Sequence, residues 1–124
     1  MRQWDARSNM NMQGLHPDLI RVLDRALQAA PTAFVVTEGL RTIERQRELV
    51  RIGASKTLKS RHLRQADGFG HAFDFYAYVD TNRDGKISFQ EMSNVRLMIP
   101  IAEAIKKAAA AEKVAVTWLS LIHI

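Results

Sequence analysis

Between residues 72 and 79, apolar Phe73, Phe75, Ala77 and Val79 alternate with Asp74, Tyr76 and Tyr78. A period of two belongs to a strand with one buried face, so this stretch cannot be a surface helix. Most of the surrounding sequence has helical spacing. From Pro17 to Ala30, Leu19, Ile20, Leu23, Ala26 and Leu27 form one stripe, with Pro17 suited to the first helical position and Pro31 as the stop. Ala33 to Val36 predicts a short buried strand. Thr42 can cap a second helix running to Val50, with Ile43, Gln46, Leu49 and Val50 inward and Gly53 ending it. Residues 54–70, rich in Ser, Lys, Arg and Gly, predict a long loop. A helical pattern runs from Phe89 to about Lys113 and is expected to break at Pro100, which would start a new helix. Val114 to Trp118 predicts a third strand. Helices and short strands mixed in this way predict one α+β domain over residues 1–124.

With 124 residues and 47% hydrophobic content, the chain has material for one modest core. No apolar run approaches the ~18 residues that span a bilayer. The start, Met1-Arg2-Gln3-Trp4-Asp5, lacks the apolar segment of a secretory signal, so neither a signal peptide nor a membrane partner is expected. The absence of cysteine excludes disulfides, thiolate metal sites and a thiol nucleophile. Eighteen basic against thirteen acidic side chains give a formal charge of +5, which favours an anionic partner such as nucleic acid or an anionic wall polymer. No basic run is interleaved with aromatics, and most Arg and Lys fall at helical spacing, as on a solvated face. Nucleic acid is therefore not expected.

Two segments carry metal chemistry. Ser60-Arg61-His62 and Gly70-His71-Ala72-Phe73-Asp74 set an imidazole and a carboxylate on either side of a glycine-containing turn. Zinc takes both donor types, and a catalytic zinc site uses three protein ligands with one open position. Two ligands are legible, His62 and Asp74, and no third is found. By spacing alone, a loop histidine and a strand aspartate in a turn or salt bridge are the commoner outcome.

Residues 80–91 fill each position of a twelve-residue EF-hand-like loop. Asp80, Asn82 and Asp84 supply oxygens at positions 1, 3 and 5, and Gly85 allows the sharp turn at 6. Lys86 offers its carbonyl at 7, Ser88 a hydroxyl or bridging water at 9, and Glu91 a bidentate carboxylate at 12. A polar turn is the plainer alternative. Bound calcium would tie the Asp74 strand to the helix that follows.

Several motifs occur in order: His16-Pro17-Asp18-Leu19; Thr37-Glu38-Gly39-Leu40-Arg41-Thr42 with Glu44-Arg45-Gln46; Gly53-Ala54-Ser55-Lys56-Thr57; Ser60-Arg61-His62-Leu63; and Gly70-His71-Ala72-Phe73-Asp74. From about Gly14 to Trp118 the chain resembles the L-alanyl-D-glutamate peptidases of bacteriophage endolysins, relatives of the VanY-type D-alanyl-D-alanine carboxypeptidases. The resemblance implies a small antiparallel sheet with flanking helices, the Hedgehog/D-Ala-D-Ala peptidase-like core. It also implies zinc ligation by His62 and Asp74, and an Arg41 guanidinium aimed at the scissile carbonyl of a peptidoglycan stem peptide. An ordinary ion pair of Arg41 with Glu44 or Glu38 is the alternative. Ser60 is expected to fix the loop before His62, on the substrate side, rather than act as nucleophile. His71 matches no ligand position and is expected beside the site or facing solvent.

The implied activity is hydrolysis of the L-alanyl-D-glutamate bond by a monomer made in a host cytoplasm before release to the wall. The alternatives are a D-alanyl-D-alanine carboxypeptidase and a non-catalytic calcium-binding or wall-binding module. Two departures stand out. Arg64 to Phe69 lengthens the link between the His62 and Asp74 motifs, with Asp67-Gly68 as an outward turn. After Trp118, relatives supply a carboxylate base and a third zinc ligand. Here Leu119-Ser120-Leu121-Ile122-His123-Ile124 follows, resembling translated adapter read-through, with His123 too close to Trp118 to match. Residues 119–124 are therefore expected not to be native family sequence, and the chain to have little activity.

Overall fold

The strand expected at 72–79 forms at Ala72–Ala77 and pairs antiparallel with Phe34–Glu38 in the computed structural model, which describes residues 1–118 and 122–123. In chain order the elements are α1 (Ala6–Met12), α2 (Pro17–Ala29), β1 (Phe34–Glu38), α3 (Ile43–Arg51), β2 (Ala72–Ala77), α4 (Phe89–Met92), α5 (Val95–Ala111), β3 (Thr117–Trp118) and β4 (Ile122–His123). The sheet order is β1-β2-β4-β3, antiparallel throughout. Phe34 faces Ala77, Val36 faces Phe75 and, past an irregularity between Val36 and Glu38, Glu38 faces Asp74. The register thus sets two carboxylates side by side at one end of the β1–β2 ladder. β4 lays His123 opposite Ala72 and Thr117. Leu119, Ser120, Leu121 and Ile124, which carry most of the expected non-family ending, lie outside the described residues.

The core forms between the sheet and two helices. α2 buries Leu19, Val22, Leu23, Ala26 and Leu27, and α5 buries Ile101, Ala102, Ala104, Ile105, Ala108 and Ala109. Phe34, Val36, Phe73, Phe75 and Ala77 fill the space between. Each fully buried large aliphatic contributes about 1.5–3 kcal/mol, enough for this layer to dictate the local choices around it. No helix among the described residues is long and apolar enough to cross a membrane.

Four expectations are corrected. The helical break falls at Ser93–Asn94, where the Asn94 side chain accepts the N–H of Arg96 and caps α5, and Pro100 lies inside that helix. Proline removes one hydrogen bond there, while Ile101 and Ile105 beside it are fully buried and hold the helix to the core. The third strand is only Thr117–Trp118. Val114 instead gives its N–H to Ala109, and Lys113 adopts φ 59 and donates to Ala110, closing α5 with a Schellman motif. Ile43 is exposed, and Gln46 is the buried residue of α3. Val79 lies beyond the end of β2 and is half-buried.

α1 has no counterpart in the expected elements. Its cap is Asp5, accepting from the Ser8 N–H, and it buries only Ser8 and Met12. Ser8 Oγ accepts the N–H of Val36 at 3.0 Å, and Asn11 Nδ2 donates to the Val36 carbonyl at 2.8 Å. Polar side chains of α1 thus complete the outer edge of β1, an arrangement with no apolar periodicity to announce it.

Candidate metal centre

His62 sits in the long loop and is fully buried. Backbone hydrogen bonds clamp it from two sides: the Arg41 N–H donates to the His62 carbonyl at 2.7 Å, and the His71 N–H to the Arg61 carbonyl at 2.7 Å. Ser60 Oγ accepts the His62 N–H at 3.2 Å, so the serine braces the loop. The ring is oriented by Gly39, whose carbonyl lies 2.8 Å from Nδ1. A carbonyl can only accept, so Nδ1 carries a proton and the neutral ring presents its lone pair at Nε2. That Nε2 is buried without a hydrogen-bond partner, 3.7 Å from Asp74 Oδ1.

An orphaned imidazole nitrogen facing a carboxylate fits a metal. Two ligands on a tetrahedral zinc, each about 2.0–2.2 Å from it, lie about 3.4 Å apart. Burial without a partner costs about 1–3 kcal/mol, which a bound cation would offset. A ligating imidazole whose other nitrogen donates to a carbonyl is also the usual supporting arrangement. Among residues 1–117, no third His, Asp or Glu joins this pair within ligand reach.

Asp74 opens onto a cleft of about 690 Å³, lined among others by Glu38, Arg41, Lys56, Ser60 and Tyr76. Arg41 is nearly buried in its wall. Its Nε is ion-paired with Glu38, as one alternative held, and its Nη1 donates to Gln46 Oε1 at 2.7 Å. Nη2 has no hydrogen-bond partner among the described residues. Gln46, fully buried, also donates to Ser55 Oγ at 2.9 Å and to the Thr57 carbonyl at 2.6 Å, so one amide ties α3, the loop and the guanidinium together. Glu38, Lys56 and Tyr76 were not foreseen as cleft residues. Pairing of Glu38 with Asp74 across the ladder is the signal for the first, and it appears only once the register is known.

His71 does not join this pair; its Nε2 meets Asp67 Oδ2 at 2.7 Å. In the 80–91 loop, carboxylate oxygens of Asp80, Asp84 and Glu91 come within 4.8 Å of one another. Asp80 accepts the Gly85 N–H at 2.8 Å, Asn82 the Asp84 N–H at 3.3 Å, and Asp84 the Lys86 N–H at 2.9 Å. Gly85 turns the chain at φ 81. Glu91 reaches back from α4 to accept from the N–H groups of Ser88 and Thr81 and from both hydroxyls. The Ser88 N–H and the Thr81 hydroxyl lead the bonds that pull its carboxyl from 4.5 to about 2.

Residues 2–120 match the phage L-alanyl-D-glutamate peptidase family. The fold is similar to the crystal structure of the Serratia marcescens L-Ala D-Glu endopeptidase ChiX, with a TM-score of 0.78 and 37% identity, covering 96% of this chain and 86% of that one. No curated protein is significantly similar to the chain in sequence.

Proposed function

The chain belongs to the phage L-alanyl-D-glutamate peptidase family, and from that premise we propose how its cleft works. It is a peptidoglycan-cleaving peptidase. Its bond is the one between L-alanine and D-glutamate in the stem peptide, and its metal is zinc held by His62 and Asp74. The observation carrying this proposal is the buried, unpartnered His62 Nε2 set 3.7 Å from Asp74 Oδ1 at the edge of the cleft.

Zinc bound there would supply Lewis acidity to the scissile carbonyl and to water. The rest is the work of this chain's own side chains. Gly39 holds the proton on His62 Nδ1 and so keeps Nε2 available. Glu38 and Gln46 fix the plane of the Arg41 guanidinium, leaving Nη2 to hydrogen-bond oxygen charge that develops on the substrate carbonyl. Ser60 keeps the His62 loop in place. Held before substrate arrives, these groups need little reorganisation during reaction.

The 80–91 loop we assign to calcium, with Asp80, Asn82, Asp84, the Lys86 carbonyl, Ser88 and Glu91 as its ligands. The convergence of three carboxylates supports this. The chain is proposed to act as a monomer, made in the host cytoplasm and released to the wall.

The test is mass spectrometry of stem-peptide muropeptides incubated with the purified chain and zinc. Slow cleavage between L-alanine and D-glutamate, limited by the lack of an identified base and third ligand and abolished by a chelator and by His62→Ala, is expected. Release of terminal D-alanine alone would overturn the bond assignment, and chelator-resistant cleavage would overturn the metal.

A further inference from the structure

A second cluster of metal-ligating side chains lies outside the cleft. His16 precedes α2, Asp67 sits in the 64–69 segment that lengthens the link between the two motifs, and His71 precedes β2. None of the three lines the cleft. His71 Nε2 is 2.7 Å and His16 Nε2 is 3.6 Å from the same oxygen, Asp67 Oδ2. The two rings stand nearly perpendicular, 5.2 Å apart, and the three ligand atoms lie within 4.8 Å of one another.

We propose that His16, Asp67 and His71 form a second site for a first-row divalent metal of zinc type, clasping the 64–69 segment to the start of α2. Two imidazoles and one carboxylate select zinc-like ions over calcium or magnesium. The donors are held in advance. Asp67 Oδ1 accepts the Phe69 N–H at 3.0 Å, which turns Oδ2 toward the histidines. The segment is closed by the Gln65 N–H to the Phe69 carbonyl at 2.9 Å, and the His16 N–H reaches the Gly70 carbonyl at 2.9 Å. Side-chain exposures of 24%, 39% and 19% for His16, Asp67 and His71 leave room for water to complete the coordination.

His16 Nδ1 accepts the Asp18 N–H at 3.0 Å, so in the metal-free protein Nε2 bears the proton and donates toward Asp67. A metal displaces the Nε2 protons of both His16 and His71 to solvent, each ring takes one up at Nδ1 instead, and the Asp18 N–H gives up its acceptor at His16 Nδ1. The Asp18 carboxylate, with Oδ2 3.8 Å from Nδ1, must move closer to accept from it, giving the carboxylate–imidazole–metal order of many sites. Burial raises the Asp67 carboxyl, but the Phe69 N–H and the two histidines outweigh it and keep the group ionised and ready to ligate.

The experiment is titration of the chelator-stripped full chain with Co²⁺ and Zn²⁺, read by calorimetry and by visible cobalt absorption. His62→Ala should still take up one equivalent at micromolar metal, with the absorption of a four-coordinate site. Adding Asp67→Ala or, separately, His71→Ala should remove that equivalent, with far-ultraviolet circular dichroism reporting that the fold persists. No uptake by His62→Ala, or uptake unchanged by both further substitutions, would overturn the proposal. Because the readout is made without the His62 ligand, it is independent of the peptidase assignment.

Discussion

The Gly39 carbonyl and His62 Nδ1, 2.8 Å apart, join the end of β1 to the loop that follows α3 and determine which nitrogen of the ring faces Asp74. A β-carbon at Gly39 would lie 2.1 Å from the Asn11 carbonyl oxygen, so α1 packs onto this corner at a distance that only glycine permits. Gly39→Ala should therefore destabilise the fold by about 1–3 kcal/mol and weaken zinc binding by shifting the carbonyl. Urea unfolding beside a zinc titration checks both. An unchanged midpoint contradicts the packing argument.

Ser8 supplies the acceptor for the Val36 N–H inside the structure. Ser8→Ala leaves that donor buried and unpaired, an expected loss of about 1–3 kcal/mol. Thermal or urea unfolding of the variant measures it, and a loss within the error of the parent would show that the bond contributes nothing.

Arg41 is expected to act on turnover and not on the metal. Arg41→Ala should leave zinc content unchanged and lower kcat by about 10²–10³, the range for losing one oxyanion donor. Gln46→Ala should give a smaller fall in kcat, because Glu38 still holds one edge of the guanidinium. Loss of zinc from Arg41→Ala would show that the arginine is part of the metal site's support.

Glu91 gives a pH dependence with a defined sign. Its folded carboxyl titrates at about 2 against an ordinary 4.5. Its contribution to stability is therefore present above about 4.5 and lost as pH falls toward 2. Glu91→Gln should flatten the acid limb of the stability curve in that window. The same substitution should abolish the calcium response, which for one site reaches about 2.7 kcal/mol at a free concentration of about 100 times Kd. A melting temperature unmoved by calcium in the parent would leave the loop a polar turn.

The extent to which the sequence revealed this molecule depended on how each part signals itself. Apolar periodicity announced α2, the core face of β2 and the α5 region, because burial there is what selects the residues. α1 was missed since it buries Ser8 and uses polar side chains to finish a sheet edge. Pro100 suggests a helix start from local geometry alone, and the burial of Ile101 and Ile105 overrides it. At the site, the pairing of His62 with Asp74 was legible as a motif. The Gly39 contact, the Gln46 bridge and the His16–Asp67–His71 cluster were not. Each joins segments distant in sequence through a single polar contact that has no periodicity.

The central claim is that His62 and Asp74 hold a zinc ion on which peptide hydrolysis depends. It is tested most directly by measuring zinc per chain in parallel with muropeptide cleavage for the parent, His62→Ala and Asp74→Ala, all in an Asp67→Ala background that removes the second proposed site. The account predicts that either substitution removes the remaining zinc equivalent and the cleavage together. Full zinc retention, or undiminished cleavage, in either variant would contradict it.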